Sequence, residues 1–257
     1  MEGRDWIAQL PAALSRQAGL LARLLAAAEQ DPRFRALELQ CSVARGAGDE
    51  LSDLDAGLWA ADDAWDGAVA AVPPLLRSLG EVVDVLEQPW LERPYFFAQF
   101  ADGTQLDLVV LRASGAKGRV PNAVVLLDRD GLLREPYEPP SHRPRDEDLR
   151  EWSFLAWLAL SNLAKYLDRG SLWEAWAQLE EARGHLLRLH AARLGVAYPG
   201  FGLTSGLDEP DADVPPGLEE TVATLDAGDL RRAARALAAL LVGHGPPPLA
   251  AAVRTRL

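Results

Sequence analysis

Residues 41–55 read Cys-Ser-Val-Ala-Arg-Gly-Ala-Gly-Asp-Glu-Leu-Ser-Asp-Leu-Asp. The preceding residues 36–40 alternate apolar and polar side chains, which is the period of a half-buried strand. The glycines that follow indicate a turn in which backbone N–H groups can approach a phosphate closely. Asp53 and Asp55 stand two positions apart, so on a second strand both carboxylates project from the same face.

These two acids and a third, Asp107, predict a magnesium site. Adjacent carboxylates repel each other, and a divalent cation is the usual partner that makes the pairing tolerable. Proteins commonly hold Mg²⁺ through one or two carboxylates together with substrate phosphates. Asp107 lies inside the apolar run 105–111, where an unpaired carboxylate would be costly. We expect it to face this site or a hydrogen-bonding partner, and the residues alone leave both readings open.

The whole run resembles the nucleotidyltransferase superfamily with the polymerase-beta-like fold, and within it the streptomycin-type aminoglycoside adenylyltransferases. The matching residues are Ser42, Ala44, Arg45, Gly46, Asp49, Glu50, Ser52, Asp53 and Asp55. One position departs from the family pattern, because Cys41 stands where the family usually has Gly. We expect phosphate approach to be tighter there.

The resemblance implies an enzyme that transfers AMP from ATP to a hydroxyl of a small cationic acceptor, an aminoglycoside-type antibiotic, and releases pyrophosphate. Two Mg²⁺ ions would be held by Asp53 and Asp55. Asp107 would bind one of these ions or act as the general base toward the acceptor hydroxyl. Some relatives use a separate Glu as base, for which Glu87 and Glu92 are candidates.

The same resemblance implies which residues bind the nucleotide. Ser42 and the backbone N–H groups of the turn would hold the β- and γ-phosphates, and Arg45 is a weaker candidate for this role. Lys165, in the later helical region, is a further candidate for the triphosphate. A lysine on a solvated helix surface is the alternative interpretation.

The periodicities predict an α+β protein in two domains. A nucleotidyltransferase sheet with flanking helices is expected over 1–135, a proline-rich linker over 134–145 and a helical bundle over 146–257. The expected helices of the first domain are 6–29 and 62–79, the second interrupted at Pro73-Pro74, and its later strands are 80–87, 95–100, 105–111 and an edge strand at 124–128. The expected helices of the second domain are 146–167, 172–194, 218–225 and 230–242.

Composition limits the classes of partner and the compartment. The formal net charge of −12 argues against a nucleic-acid substrate, which needs clustered Lys and Arg, and is compatible with a small cationic one. No apolar run is long enough to cross a bilayer, and the first residues lack the layout of a secretory signal. The single cysteine fits a reducing cytoplasm. No His lies near Cys41 in sequence, so we do not expect it to be a nucleophile.

Other functions and patterns stay open. The chain is also compatible with an adenylyltransferase that modifies a protein, as an antitoxin modifies its toxin, or with a relative that binds nucleotide without turnover. The tryptophans of the helical region are expected mainly in its core and are alternatively the lining of a substrate pocket. The run 183–190 loosely resembles the Arg-spaced-His motif of helical ribonuclease toxins. The oligomeric state is not predicted.

Overall fold

The chain folds into two compact units, Met1–Pro139 and Pro140–Leu257. The computed structural model describes residues 3–90, 93–139, 143–196, 198–203, 207 and 213–257. Within these ranges, no helix has both the length and the apolar character that crossing a membrane requires.

The first unit is built on a six-stranded mixed sheet. Its strands are β1 Phe34–Gln40, β2 Leu54–Ala60, β3 Val82–Trp90, β4 Arg93–Phe100, β5 Gln105–Arg112 and β6 Val124–Asp128. They are ordered β3-β4-β5-β2-β1-β6, so β6 is an edge strand as expected. The strands β2 and β5 are parallel, and every other neighbouring pair is antiparallel.

Helices cover one face of this sheet. The helices of the unit are α1 Gly3–Ala8, α2 Ser15–Gln30, the single turn α3 Cys41–Ala44 and α4 Trp65–Ser78. Leu21 and Leu24 of α2 and Val72 and Leu76 of α4 are fully buried in the main core with alternate residues of the strands. The opposite face carries a smaller apolar cluster around Trp59 near the far end of β2. Alternation along each strand therefore assigns every second side chain to the helix-covered core.

Two helix predictions for this unit were wrong, and both concern the effect of proline on a helix. The expected helix 6–29 is divided, because Pro11 stands between the end of α1 and the 3₁₀ turn Ala12–Leu14 that leads into α2. The expected interruption at Pro73-Pro74 does not occur, and α4 runs through both prolines. Pro74 lies on the exposed side, where carbonyl groups released from helical bonding can bond water, while Val72 and Leu76 keep the inner face packed.

The second unit is helical. Its helices are α5 Asp146–Asp168, α6 Leu172–Leu194, α7 Ala227–Leu240 and α8 Pro247–Arg254, with 3₁₀ turns at Pro199–Phe201 and Leu218–Thr221. Trp157 of α5 is fully buried, and its indole N–H donates to the carbonyl of His244 over 2.7 Å. Part of the segment between the helices predicted over 172–194 and 218–225 lies outside the described residues.

Two features of this unit differ from the expectation. The helix expected over 218–225 is only the 3₁₀ turn, because the Thr221 hydroxyl bonds the Leu218 carbonyl over 2.6 Å and Arg183 bonds the Thr221 carbonyl. These bonds compete with continuation of the helix. The helix α8 has no counterpart in the prediction, since its short Ala-rich run after Pro246–Pro248 gives a weak periodic signal.

Two glycines of the helical unit predict opposite effects on stability. Gly184 lies inside α6, where an added Cβ meets nothing within 4 Å, so Gly184→Ala should raise the free energy of unfolding by about 0.5–1 kcal/mol. Gly245 has a φ of +86°, and a Cβ there would lie 2.5 Å from Ser153 Oγ, so Gly245→Ala should lower it. Urea unfolding followed by circular dichroism measures both. A destabilised Gly184→Ala protein would contradict this packing.

Candidate functional site

Strand register brings Asp55 and Asp107 together. In the parallel pair β2 and β5 these two residues are direct partners, and neighbouring strands are about 4.8 Å apart. Both acids are half-buried, and the leucines that flank Asp107, Leu106 and Leu108, are fully buried on the helix-covered face. The two carboxylates therefore project side by side from the other face of the sheet.

Asp53 completes a three-carboxylate cluster from the loop in front of β2. It precedes the first residue of that strand and is exposed. The pKa of Asp107 is raised to about 6, first by burial and then by the negative charges of Asp55 and Asp53. Asp107 thus lies within electrostatic reach of both other acids. The negative charges of Asp55 and Asp53 destabilise the ionised form of Asp107.

This cluster fits Mg²⁺ better than a metal that needs a closed protein cage. Within the described ranges, no three His, Cys, Asp or Glu side chains are already arranged to hold an ion. Mg²⁺ usually takes one or two carboxylates and completes its shell with water and substrate phosphates. A site with only oxygen donors and neighbouring carboxylates suits this mode of binding, in which the substrate supplies the remaining ligands.

The helix α2 holds the loop that carries Asp53. The amide of Gln17, which is 2% exposed, donates to the carbonyl of Ser52 over 2.9 Å, and Arg16 donates to the carbonyl of Glu50 over 2.9 Å. Inside the loop, the Ser52 hydroxyl accepts from the Asp49 N–H over 2.9 Å. The sequence interpretation missed Arg16 and Gln17, although two adjacent polar residues within an Ala- and Leu-rich helix were a signal.

The turn after β1 contains an unusual cysteine. Cys41 has a φ of +58°, in the left-handed region that favours glycine, which accounts for the glycine usual in this motif. Cys41 is an exposed residue, but partial burial of its thiol raises the pKa to about 12, and the nearby charge of Asp55 acts in the same direction. A thiol with this pKa is not a thiolate at neutral pH, which agrees with the expectation that Cys41 is not a nucleophile.

The other predicted nucleotide-binding residues lie in two places. Ser42 is half-buried in the single-turn α3 that begins at Cys41, and Arg45 is exposed where that turn ends. Lys165 lies on α5 in the helical unit, where its ammonium group donates to the Asn162 side chain over 2.9 Å. It also lies 4.8 Å from the centre of the Tyr166 ring. The role of Lys165 toward a triphosphate stays a prediction.

A further acid on the Asp55 face was missed by the sequence interpretation. Glu38 on β1 is 2% exposed, its Oε1 accepts from Gln40 Nε2 over 3.0 Å, and burial raises its pKa. Its strand partner is Gly57, and a Cβ there would lie 3.0 Å from Glu38 Oε1. Gln40 is in turn the strand partner of Asp55. The alternation of 36–40 indicated this face, but gave no reason to select Glu38.

The structure separates Glu87 from the acid cluster. Glu87 of β3 pairs with Phe96 of β4, which pairs with the buried Leu108, so it belongs to the face opposite Asp107. This arrangement disfavours Glu87 as a general base for chemistry at Asp107. Glu92, the other candidate, lies outside the described residues.

Two patterns in the helical unit have structural explanations. Arg183 donates to the Thr221 hydroxyl over 2.8 Å, and His190 Nε2 lies 2.9 Å from the Asp213 carbonyl. The Arg-spaced-His pattern is therefore engaged in packing. Of the tryptophans, Trp157 is in the core as expected, whereas Trp173 is 70% exposed and contacts Trp176 edge-on at 6.4 Å between ring centres.

A surface cleft of about 430 Å³ lies at the other end of β5 from Asp107. Arg112, in its lining, is five residues beyond Asp107 on β5, about 17 Å along a strand. Its guanidinium carbon lies 4.2 Å from the centre of the Trp65 ring, and Arg33 in the same cleft is paired with Asp31. This cleft is therefore separate from the acid cluster.

A match to a known protein family establishes the family of this chain. A sequence model of the family described as streptomycin adenylyltransferase matches residues 15–200, which is more than half of the chain. The chain belongs to the streptomycin adenylyltransferase family. The expected family and α+β class are thus confirmed, and the chain is a member of an enzyme family of adenylyltransferases.

The chain also resembles solved structures at low sequence identity. An aminoglycoside 6-adenyltransferase from Bacillus subtilis is 17% identical with a TM-score of 0.34, and the match covers 91% of this chain and 89% of that one. A nucleotidyltransferase-like protein from Exiguobacterium sibiricum is 16% identical with a TM-score of 0.34, covering 83% and 70%. No curated protein matches the chain.

Because the pKa of the Cys41 thiol is about 12, alkylation should be slow in the folded protein. At pH 8, iodoacetamide should modify Cys41 at least about tenfold more slowly than it modifies the same chain in urea. Asp55→Asn removes one charge that opposes thiolate formation, so its rate should be higher than that of the parent. Mass spectrometry of quenched samples measures both rates. Equal rates in the folded and unfolded chains would refute this environment for the thiol.

Because the pKa of Asp107 is raised in the folded state, we expect the free energy of unfolding to decrease as pH rises. The folded state keeps the proton up to about pH 6, whereas an unfolded Asp loses it near pH 3.8, so stability decreases as pH rises between these values. Asp107→Asn removes this dependence. The free energy of unfolding is compared between Asp107→Asn and the parent in EDTA. The difference should shift in favour of Asp107→Asn by about 1 kcal/mol between pH 4 and pH 7, a figure that allows for solvent screening of a half-buried group. Urea titrations at both pH values test this, and a parallel pH dependence in both proteins would contradict it.

Proposed function

We propose that this chain transfers AMP from ATP to a hydroxyl group of a small cationic acceptor of the aminoglycoside type and releases pyrophosphate. The observation that carries the proposal is the pairing of Asp55 with Asp107 on the face of the parallel strands opposite the helix-covered core, with Asp53 in reach. Such a cluster is costly unless cations and phosphates bind there. Membership in an adenylyltransferase family gives the reaction class.

In this proposal the three acids hold two Mg²⁺ ions. Asp53 and Asp55 are the ligands toward the triphosphate, and Asp107 is the ligand toward the acceptor. When bound, the ions neutralise the phosphates and stabilise the attacking and leaving oxygens of an in-line displacement. The loop contacts of Gln17 then matter for chemistry, because they set the position of Asp53 relative to Asp55.

The triphosphate is proposed to lie along the turn after β1. The Ser42 hydroxyl and the backbone N–H groups of this turn are donors for its β- and γ-phosphates, with Arg45 as an additional positive charge. Lys165 is a second candidate from the helical unit. Cys41 carries a side chain where the family usually has glycine. We therefore expect a phosphate to have less room to approach the backbone N–H groups of this turn than in a relative with glycine at this position.

The transfer step forms a bond between the acceptor oxygen and the α-phosphorus and breaks the bond from that phosphorus to the oxygen of the β-phosphate. Pyrophosphate leaves with that bond pair. The acceptor hydroxyl loses its proton, and Asp107 assists this loss either as a metal ligand beside the hydroxyl or by accepting the proton. The pKa of about 6 belongs to the metal-free site, and a bound Mg²⁺ would lower it, so the Asp107 carboxylate would be ionised and able to accept a proton at neutral pH.

The charge balance of the chain favours a cationic acceptor. A net charge of −12 and a cluster of acids at the site attract amines and disfavour anionic polymers such as nucleic acids. A protein acceptor is the second candidate, because the negative charge of the site would also attract a basic protein surface. A non-enzymatic role is disfavoured by the intact Asp53, Asp55 and Asp107. A cytoplasmic location stays a prediction from the single cysteine.

Pyrophosphate release tests this function. With Mg-ATP and a panel that contains streptomycin, other aminoglycosides and lincosamides, the parent should release pyrophosphate with at least one drug. Asp55→Asn should lower that rate by about 10³-fold, because a lost metal ligand removes several kcal/mol of transition-state stabilisation. Glu87→Gln is the matched control, and its rate should stay within about twofold of the parent, because Glu87 belongs to the opposite face of the sheet.

The controls separate the possible failures. Silence across the panel, with ATP still bound in calorimetry, would refute the antibiotic acceptor and direct the search to a protein acceptor. A large loss in Glu87→Gln would contradict the assignment of the reaction to the Asp55 face. Unchanged activity in Asp55→Asn would overturn the proposed site.

A further inference from the structure

The row of side chains that contains the catalytic acids continues into an aromatic pair. In the antiparallel pairing of β4 with β5, Phe97 is the partner of Asp107 and Tyr95 is the partner of Val109. Strand partners share a face, so both rings belong to the same side of the sheet as the two acids. Their centres are 4.8 Å apart and the rings are tilted by 39°.

The exposure of Phe97 is unusual for an aromatic residue on an interior strand of a sheet, whereas Tyr95 is half-buried. Phe97 is 37% exposed, and Leu86, its partner on β3, is 58% exposed. By contrast, Phe96 and Phe100 of the same strand lie in the core. An apolar surface that is left open beside a charged cluster marks a binding site more often than a packing defect.

The electrostatics connect the pair to the acids. The pKa of Tyr95 is raised by burial and also by the charges of Asp107 and Asp55, so its hydroxyl group lies within their field. The site therefore offers aromatic surface and negative charge side by side. A ligand with amines and an apolar ring face is complementary to both parts.

We propose that Tyr95 and Phe97 are the platform on which the acceptor ring lies, with one of its hydroxyl groups directed to Asp107. This inference rests on the proposed adenylyl transfer and adds the residues that determine acceptor specificity. The acceptor it selects is a cyclic amino-polyol. Its C–H face packs on the two rings, and its ammonium groups lie over them and in the field of the acids. The triphosphate occupies the other side of Asp55, toward the turn after β1.

The test compares Phe97→Leu with the parent. The substitution keeps apolar volume and removes the ring, and the acceptor KM should rise about tenfold, the equivalent of one lost cation–π and stacking contact. The ATP KM should stay within about twofold of the parent value. The urea midpoint of unfolding should stay within about 0.3 M of the parent value. Val83→Ala, at a 67% exposed position of β3, is the control for changes to the hairpin surface and should alter neither KM.

Each outcome supports or overturns the platform. A rise in acceptor KM alone supports it. A rise in ATP KM alone shows that the rings hold the adenine, and equal KM values show that they hold nothing; both overturn the proposal. If the parent releases no pyrophosphate, the proposed function fails first, and calorimetric titration of the parent and Phe97→Leu with streptomycin and kanamycin decides the platform. Weaker binding by Phe97→Leu then supports it, whereas equal binding or no binding by either protein overturns it.

Discussion

The register of two parallel strands forces Asp55 and Asp107 to stand side by side, and the organisation of the first unit follows from this constraint. Neither carboxylate can turn away, because Leu106 and Leu108 fill the helix-covered core on the other face. Burial, and after it repulsion from Asp55 and Asp53, raises the pKa of Asp107 to about 6. Ionisation of this acid in the folded state therefore lowers stability, which is a common property of sites built to receive cations.

The elements around the pair limit how it can relax. On one side, the side chains of Arg16 and Gln17 fasten the loop that carries Asp53 to a buried helix. On the other side, Gly57 leaves the space that the buried Glu38 occupies. A helix that is apolar enough to form the core thus also sets the position of an acid at the surface. Sites held by such supporting contacts keep their geometry better than sites on free loops.

The failures of the sequence interpretation have local physical causes. Helix periodicity across 6–29 was correct on both sides of Pro11, but the break depended on one missing N–H. Pro73 and Pro74 were expected to interrupt a helix that tertiary packing of Val72 and Leu76 maintains. In the first case a single local residue decided the outcome, whereas in the second case packing against residues distant in sequence overrode the local preference.

The sequence by itself determined the strand and turn that begin at residue 36 and the family, and it selected Asp53, Asp55 and Asp107 as candidate site residues. These are local features, in which residue type and spacing carry the chemistry directly. Only the tertiary structure decided which strands are neighbours and in what register. A shift of one residue moves every side chain to the opposite face, and no local pattern specifies the register between strands distant in sequence. For this reason the structure alone could bring Phe97 beside Asp107 and put Glu87 on the other side of the sheet.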